Sequence, residues 1–299
     1  MLAWARVNRR SFCKLALASP LLRAQDSIKA GGAEIDVSIR GEFDLPREAI
    51  FNWVDMAARS VTAYYGKFPV PRGDVQIFQS RRGRGVGGGR SFGEGGAHCR
   101  ISVGQHATAD DLKKDWMLTH EMVHWGFPSV SEEHHWMEEG SATYIEPIAR
   151  AKIGWLEREQ VWGDMLRDMW QGLPESGDEG LDRTHTWGRT YWGGALFCLM
   201  ADIEIRKRTQ GRKGLEDAIR AINRAGGTIE HDWPLQRAFE IGDKATGAKA
   251  LMDLYKQMGA KPMYVNLADL WAQLGVRRDG ESVVFDQSAP LARVRLAIC

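Results

Sequence analysis

Two histidines and a glutamate stand in the order His120-Glu121-Met122-Val123-His124. On an α-helix, positions four apart share a face with Cβ atoms about 5–6 Å apart, so both imidazoles can reach one metal ion. The flanks favour that helix. Thr108 followed by Asp110 and Asp111 has the form of an N-terminal cap, and Leu112, Trp116 and Met117 make an apolar stripe leading into the motif. Imidazole donors point to zinc, although two histidines and a carboxylate also accept other divalent ions. A catalytic zinc takes three protein ligands and keeps one position open. The stretch Trp136-Met137-Glu138-Glu139-Gly140 offers a glutamate at the start of a second predicted helix, about 15 positions after His124. Zinc lowers the pKa of a bound water from about 9 towards 7. Glu121 is not needed as a ligand and is free to take the water's proton. The chemistry is hydrolysis at a carbonyl, with a Tyr or His on another helix expected to help neutralise the oxyanion.

The elements that must hold these groups are legible in outline. Residues 33–43 alternate as a strand through Ile35, Val37 and Ile39. Pro46 opens a helix whose stripe is Ile50, Trp53, Val54, Ala57 and Val61. Short strands are predicted at 75–78 and 99–103, separated by a Gly-rich loop over 83–96. Helices follow near 109–125, 137–153, 155–171, 188–209, 213–225, 246–258 and 266–274, and the tail beyond Val276 reads as one or two short strands around Asp279-Gly280. A β-containing part followed by a run of helices is an α+β layout.

From Trp116 to about Asn223 the chain resembles the gluzincin metallopeptidases, most closely the glycyl aminopeptidase family and more distantly the aminopeptidase N family. The carriers are His120-Glu121-x-x-His124, Trp136-x-x-Glu139-Gly140, and the segment from Thr190 to Leu215, which begins Thr190-Tyr191-Trp192-Gly193-Gly194. The resemblance implies that Glu139, in the Glu-Gly pair that opens the family's second helix, is the third ligand of one zinc ion. It implies that Tyr191 stabilises the oxyanion, and that Glu146 orients a zinc-bound histidine. It also implies a thermolysin-like zincin fold. The active-site helix would then lie between a small β-containing N-terminal lobe over 26–126, which includes it, and a mainly helical lobe over 127–299. In aminopeptidases of these families a Gly-rich segment carries a glutamate for the substrate's free amine. Here the matching stretch is Glu94-Gly95-Gly96-Ala97-His98, with Ala97 at that place, which points to an endopeptidase. Glu94 and His98 are the substrate-binding candidates from this segment. The alternatives are an aminopeptidase of the same fold and a non-catalytic, zinc-stabilised binding protein. Glu121 and Tyr191 are both retained, which favours an enzyme.

Residues 1–25 hold Arg6, Arg9, Arg10, Lys14 and Arg23 as their only charges and an apolar run from Leu15 to Leu22. The core Asn8-Arg9-Arg10-Ser11-Phe12-Cys13-Lys14 resembles a twin-arginine export signal, so residues 1–25 are expected to be a signal peptide and the mature protein periplasmic or extracellular. The remainder, 26–299, reads as a single peptidase domain. Removal of residues 1–25 leaves 35 of the 40 basic residues against 39 acidic ones. Such a balance gives no footprint for nucleic acid, and no second apolar stretch is long enough for membrane insertion. The expected partner is a peptide or protein substrate. Cys99, Cys198 and Cys299 remain, an odd number with no C-x-x-C. Gly83-x-Gly85-x-x-Gly88 lacks the helix a phosphate site needs and reads as a loop or flap over the cleft. His134 and His135 read as surface groups or groups behind the ligands.

Overall fold

The computed structural model describes residues 26–80 and 83–299; the expected signal peptide lies outside them. Apolar residues two apart in the N-terminal part build one face of a five-stranded sheet. Its strands are β1 (Asp26–Ala30), β2 (Ala33–Arg40), β3 (Arg72–Ser80), β4 (Val86–Phe92) and β5 (His98–Gly104), in the order β1-β2-β3-β5-β4. β2, β3 and β5 run parallel, and β1 and β4 are antiparallel edge strands. Ile35, Val37, Val75, Ile77, Cys99, Ile101 and Val103 line the buried face. Two-residue turns of type I′ need positive φ at both central positions, and Gly31 (φ 56°) and Gly32 (φ 87°) provide it between β1 and β2.

Against that face lies α1 (Arg47–Tyr65), burying Ile50, Trp53, Val54, Ala57 and Val61 as its stripe requires. The remaining helices are α2 (Ala109–Lys114), α3 (Met117–His124), α4 (His135–Lys152), α5 (Arg158–Asp168), α6 (Gly194–Arg208), α7 (Leu215–Arg224), α8 (Leu235–Thr246), α9 (Ala250–Met258), α10 (Leu267–Leu274) and α11 (Ala292–Ile298), with a β6–β7 hairpin (Val276–Asp279, Ser282–Phe285) before the last. The described residues thus form a mixed α+β fold, and none of their helices is long and apolar enough to cross a membrane.

Three expectations need correction, the first being the tail beyond Val276, which carries the β6–β7 hairpin but ends in the helix α11. The stretch 83–96 is not a loop or flap: Val86–Phe92 pairs with β5. Glycine has low strand propensity, but here its missing side chain lets β4 press against α3, a tertiary gain the local pattern does not show. β5 is therefore an inner strand, and the edge on this side of the sheet is that of β4. The single helix over 109–125 is two. Thr108 caps α2, its Oγ1 accepting from Asp111 N at 3.2 Å while the Asp111 carboxylate accepts from Thr108 N. Asp115 then turns to extended backbone, and its carboxylate accepts from Met117 N and Leu118 N, both at 3.1 Å, to start the motif helix afresh. Trp53 Nε1 of α1 donates to the same carboxylate at 3.2 Å, which fixes where α3 begins.

Candidate active site

The motif helix is about two turns long, buried over its six inner residues Leu118–Val123, and lies between β4 and α4. His120 and His124 both turn their Nε2 atoms to the start of α4, where Glu139 Oε2 lies 3.1 Å from the first and 3.6 Å from the second. One donor atom from each of the three residues lies within 4.8 Å of the others, the one such group among the described residues. Ligands about 2.1 Å from a tetrahedral zinc stand about 3.4 Å apart. The three donors therefore fit one zinc ion, with little movement needed to admit it. Burial would raise the Glu139 carboxyl, but hydrogen bonds from His120 and His124 and their charge hold it well below the usual carboxylate range. It is ionised, as a ligand must be.

Glu121 is buried beside this group and lines the same cleft, of about 490 Å³, but makes no contact that would commit it as a donor. Two features of β4 hold it there. Ser91 Oγ donates to Glu121 O at 2.7 Å, tying the strand to the helix. A Cβ on Gly89 would stand 2.8 Å from Glu121 Cγ and 2.9 Å from Oε1, so only glycine leaves the carboxylate its place.

Tyr191 enters from the opposite wall. It lies in a single wide π-turn, Arg189–Gly193, that precedes α6. Its ring stacks between Trp187 (centroids 5.4 Å apart) and His120 (6.3 Å). Burial, then the charge of Glu139 and a hydrogen bond to it, push its hydroxyl up to about 12, so it stays a proton donor. What brings it close is a backbone contact between α4 and α6. A Cβ on Gly140 would meet Gly194 Cα at 2.3 Å, and one on Gly194 would meet Trp136 O at 2.1 Å. The Glu-Gly and Gly-Gly pairs in the sequence are the two sides of this contact.

The structure does not bring every expected residue together. Glu146 does not reach a metal-side histidine. Its Oε1 accepts from Arg150 Nη1 at 2.9 Å, and Arg150 also donates to Lys113 O, so the pair anchors α4 behind the α2–α3 junction. A face match seven residues on does not fix which partner a buried carboxylate finds. Burial, offset in part by Arg150, raises Glu146 to about 7. Its folded pKa therefore exceeds an unfolded value near 4.3. The stability this lends is complete below about pH 4 and is lost as pH rises through about 7, up to about 3 kcal/mol. Urea unfolding at pH 5 and pH 8 should show the wild type losing more stability over this interval than Glu146→Gln; parallel losses would refute the assignment.

Glu94 and His98 fall outside the cleft. Glu94 is exposed in the turn between β4 and β5, and His98 lies on the outer face of the sheet, its Nδ1 2.9 Å from Gly96 O. The cleft wall is instead Gly89–Gly93, so Ala97 says nothing about a free amine in the cleft. His135, unlike the buried His134, proves to be a cleft residue. Its Nδ1 is 2.8 Å from Glu138 Oε2 and its Nε2 is 3.4 Å from Glu139 Oε1. Its place four residues before Glu139 on one helix was the available signal.

No family model matches the sequence, and no curated protein sequence is similar to it. Solved structures share its fold. An aminopeptidase N family protein from Idiomarina loihiensis superposes with a TM-score of 0.63 at 14% identity, over 84% of this chain and 49% of that one. An M1 zinc metallopeptidase from Deinococcus radiodurans, solved with a Tyr-Ser-Ala substrate, gives 0.51 at 13%, over 80% and 52%. Yeast LTA4 hydrolase gives 0.51 at 13%, over 84% and 43%. The fold of the described residues is similar to that of M1 zinc metallopeptidases, in keeping with the gluzincin resemblance. The chain spans about half the length of these structures.

Proposed function

We propose that the protein is a zinc-dependent peptidase acting on peptides laid along the free edge of β4. The observation that carries this is the convergence of His120, His124 and Glu139 donors beside an uncommitted, buried Glu121. Bound there, zinc would supply Lewis acidity and a more acidic water. Glu121 takes the proton of the attacking water and passes it to the departing amine. The Tyr191 hydroxyl, held protonated, donates to the carbonyl oxygen as that oxygen gains charge. The edge of β4 offers backbone groups that an extended peptide can pair with, which fixes the scissile carbonyl over the site. In this reading the β-containing part and the helices form thermolysin-like lobes on either side of α3.

The carboxylates lining the cleft are Glu121, Glu138 and Glu139. Glu138 is occupied by Val130 N at 2.9 Å and by His135, and the other two have the roles above. None is spare for a free amine, which supports an endopeptidase; the neighbours' names favour an aminopeptidase. A diverse peptide mixture read by mass spectrometry separates them. We expect chelator-sensitive internal cuts, with Tyr191→Phe slower by about a hundredfold. Single-residue trimming from free N-termini would establish the aminopeptidase. No cleavage by a zinc-loaded protein would leave a binding protein.

Export through a twin-arginine-type signal belongs to the same proposal, supported by the Asn8–Lys14 pattern. N-terminal sequencing of the mature protein should begin near residue 25; a retained Met1 would count against it.

A further inference from the structure

β4 and β5 place Arg90 directly opposite Arg100. Like charges so paired across two strands destabilise a sheet. Both are exposed, and neither has a carboxylate partner among the described residues. Each guanidinium instead sits 5.4 Å from the centroid of one ring, Phe92, a distance at which cation–π attraction holds. The same ring stacks on His98 at 5.0 Å and 15°. Arg90 and Phe92 also line the metal cleft. Two forked donor groups are thus held over an aromatic ring on the outer face of the sheet, one of them on Arg90, which also lines the cleft, and neither makes a hydrogen bond among the described residues.

We propose that Arg90 and Arg100 form a carboxylate-binding platform that selects acidic peptides for the cleft. Guanidinium pairs bind carboxylates through two parallel hydrogen bonds, and the ring holds both planes in place without neutralising them. A carboxylate bridging them removes the like-charge repulsion, so the empty platform favours an anion from the start. The group recognised is a carboxylate, whether of an Asp or Glu side chain or of the peptide's C-terminus. This rests on the peptidase reading for its substrate but not for its binding.

Binding and turnover therefore need separate measurement. Zinc-loaded Glu121→Gln protein would be titrated with one fluorescent peptide in four forms: neutral with an amidated C-terminus, the same with a free C-terminus, amidated with one internal Asp, and amidated with one internal Lys. We expect a carboxylate form to bind about tenfold more tightly than the neutral amide, and the advantage to shrink with added salt. The ratio should fall towards one in Arg90→Gln and in Arg100→Gln, and Arg→Lys should restore it only in part. The free acid winning identifies the C-terminus as the source; the internal Asp winning identifies a side chain. Equal binding of all four forms, or a ratio that survives both Gln variants, would overturn the platform. If the wild type cuts none of these peptides while the acidic preference persists, the platform stands and the peptidase reading fails.

Discussion

Glu121→Gln should bind zinc as the wild type does and lose about a thousandfold in kcat/KM. The amide keeps the shape and the hydrogen-bonding reach of the carboxylate but cannot accept a proton. None of the three metal donors is touched, because the group that converges is His120, His124 and Glu139. The fit beside Gly89 is preserved too, since Gln adds no bulk where a Cβ would already stand 2.8 Å from Glu121 Cγ. Metal content by elemental analysis and turnover of the best peptide substrate check the two halves separately. Full turnover in this variant would remove Glu121 from the mechanism. Loss of zinc would instead make it a structural support of the donors.

Gly140→Val should be costlier to the fold than its small volume suggests. The α4–α6 contact is backbone against backbone, with Gly194 Cα 2.3 Å from where the new Cβ would stand. No side chain there can swing aside, so the helices must part, at a cost of about 3 kcal/mol or more. Gly140→Ala should cost less, and Gly194→Val about as much as Gly140→Val. In a chain of this size that amounts to a fall in Tm of about 6 °C or more for the valine variants. Thermal unfolding measures it, and a valine variant melting within a degree of the wild type would refute the contact. Parting the helices also draws Tyr191 off its place beside His120, so kcat should fall in any Gly140→Val protein that remains folded.

The candidate metal histidines were legible because helical spacing is local, His120 and His124 needing only one turn to meet, while the choice of Glu139 over Glu138 came from the family resemblance. The α1 stripe was legible for the same reason. What the pattern hid was tertiary. Six glycines within 83–93 look like a flexible loop, yet three of them, Gly87, Gly88 and Gly89, lie in the strand that holds Glu121. Asp115 looks like one more acidic residue in a long helix, yet it ends one helix and starts another because Trp53 reaches it from α1. Glu146 follows Glu139 with helical spacing, but a buried guanidinium four residues further on claimed it. Three elements were missed outright, one of them α11, which closes a tail read only as strands. α8 carries Leu235, Ala238, Phe239 and Gly242 at helical spacing between Pro234 and Gly247, a signal that could have been read. β1 was announced by Gly31-Gly32, whose pairing with the preceding run shows only when both strands are considered at once.

The wide turn that carries Tyr191 makes the site sensitive to chain length. An α-helix advances about 100° per residue, and a π-turn absorbs one residue more than an α-turn does. Deleting Trp192 or Gly193, the two residues between Tyr191 and α6, would leave α6 itself intact and in register. The part of the chain before it would then rotate by about 100° and take the tyrosine ring off the histidine. Elsewhere on the surface a lost residue shortens a loop and is forgiven. Here the count is a constraint of its own, added to the identity of Tyr191.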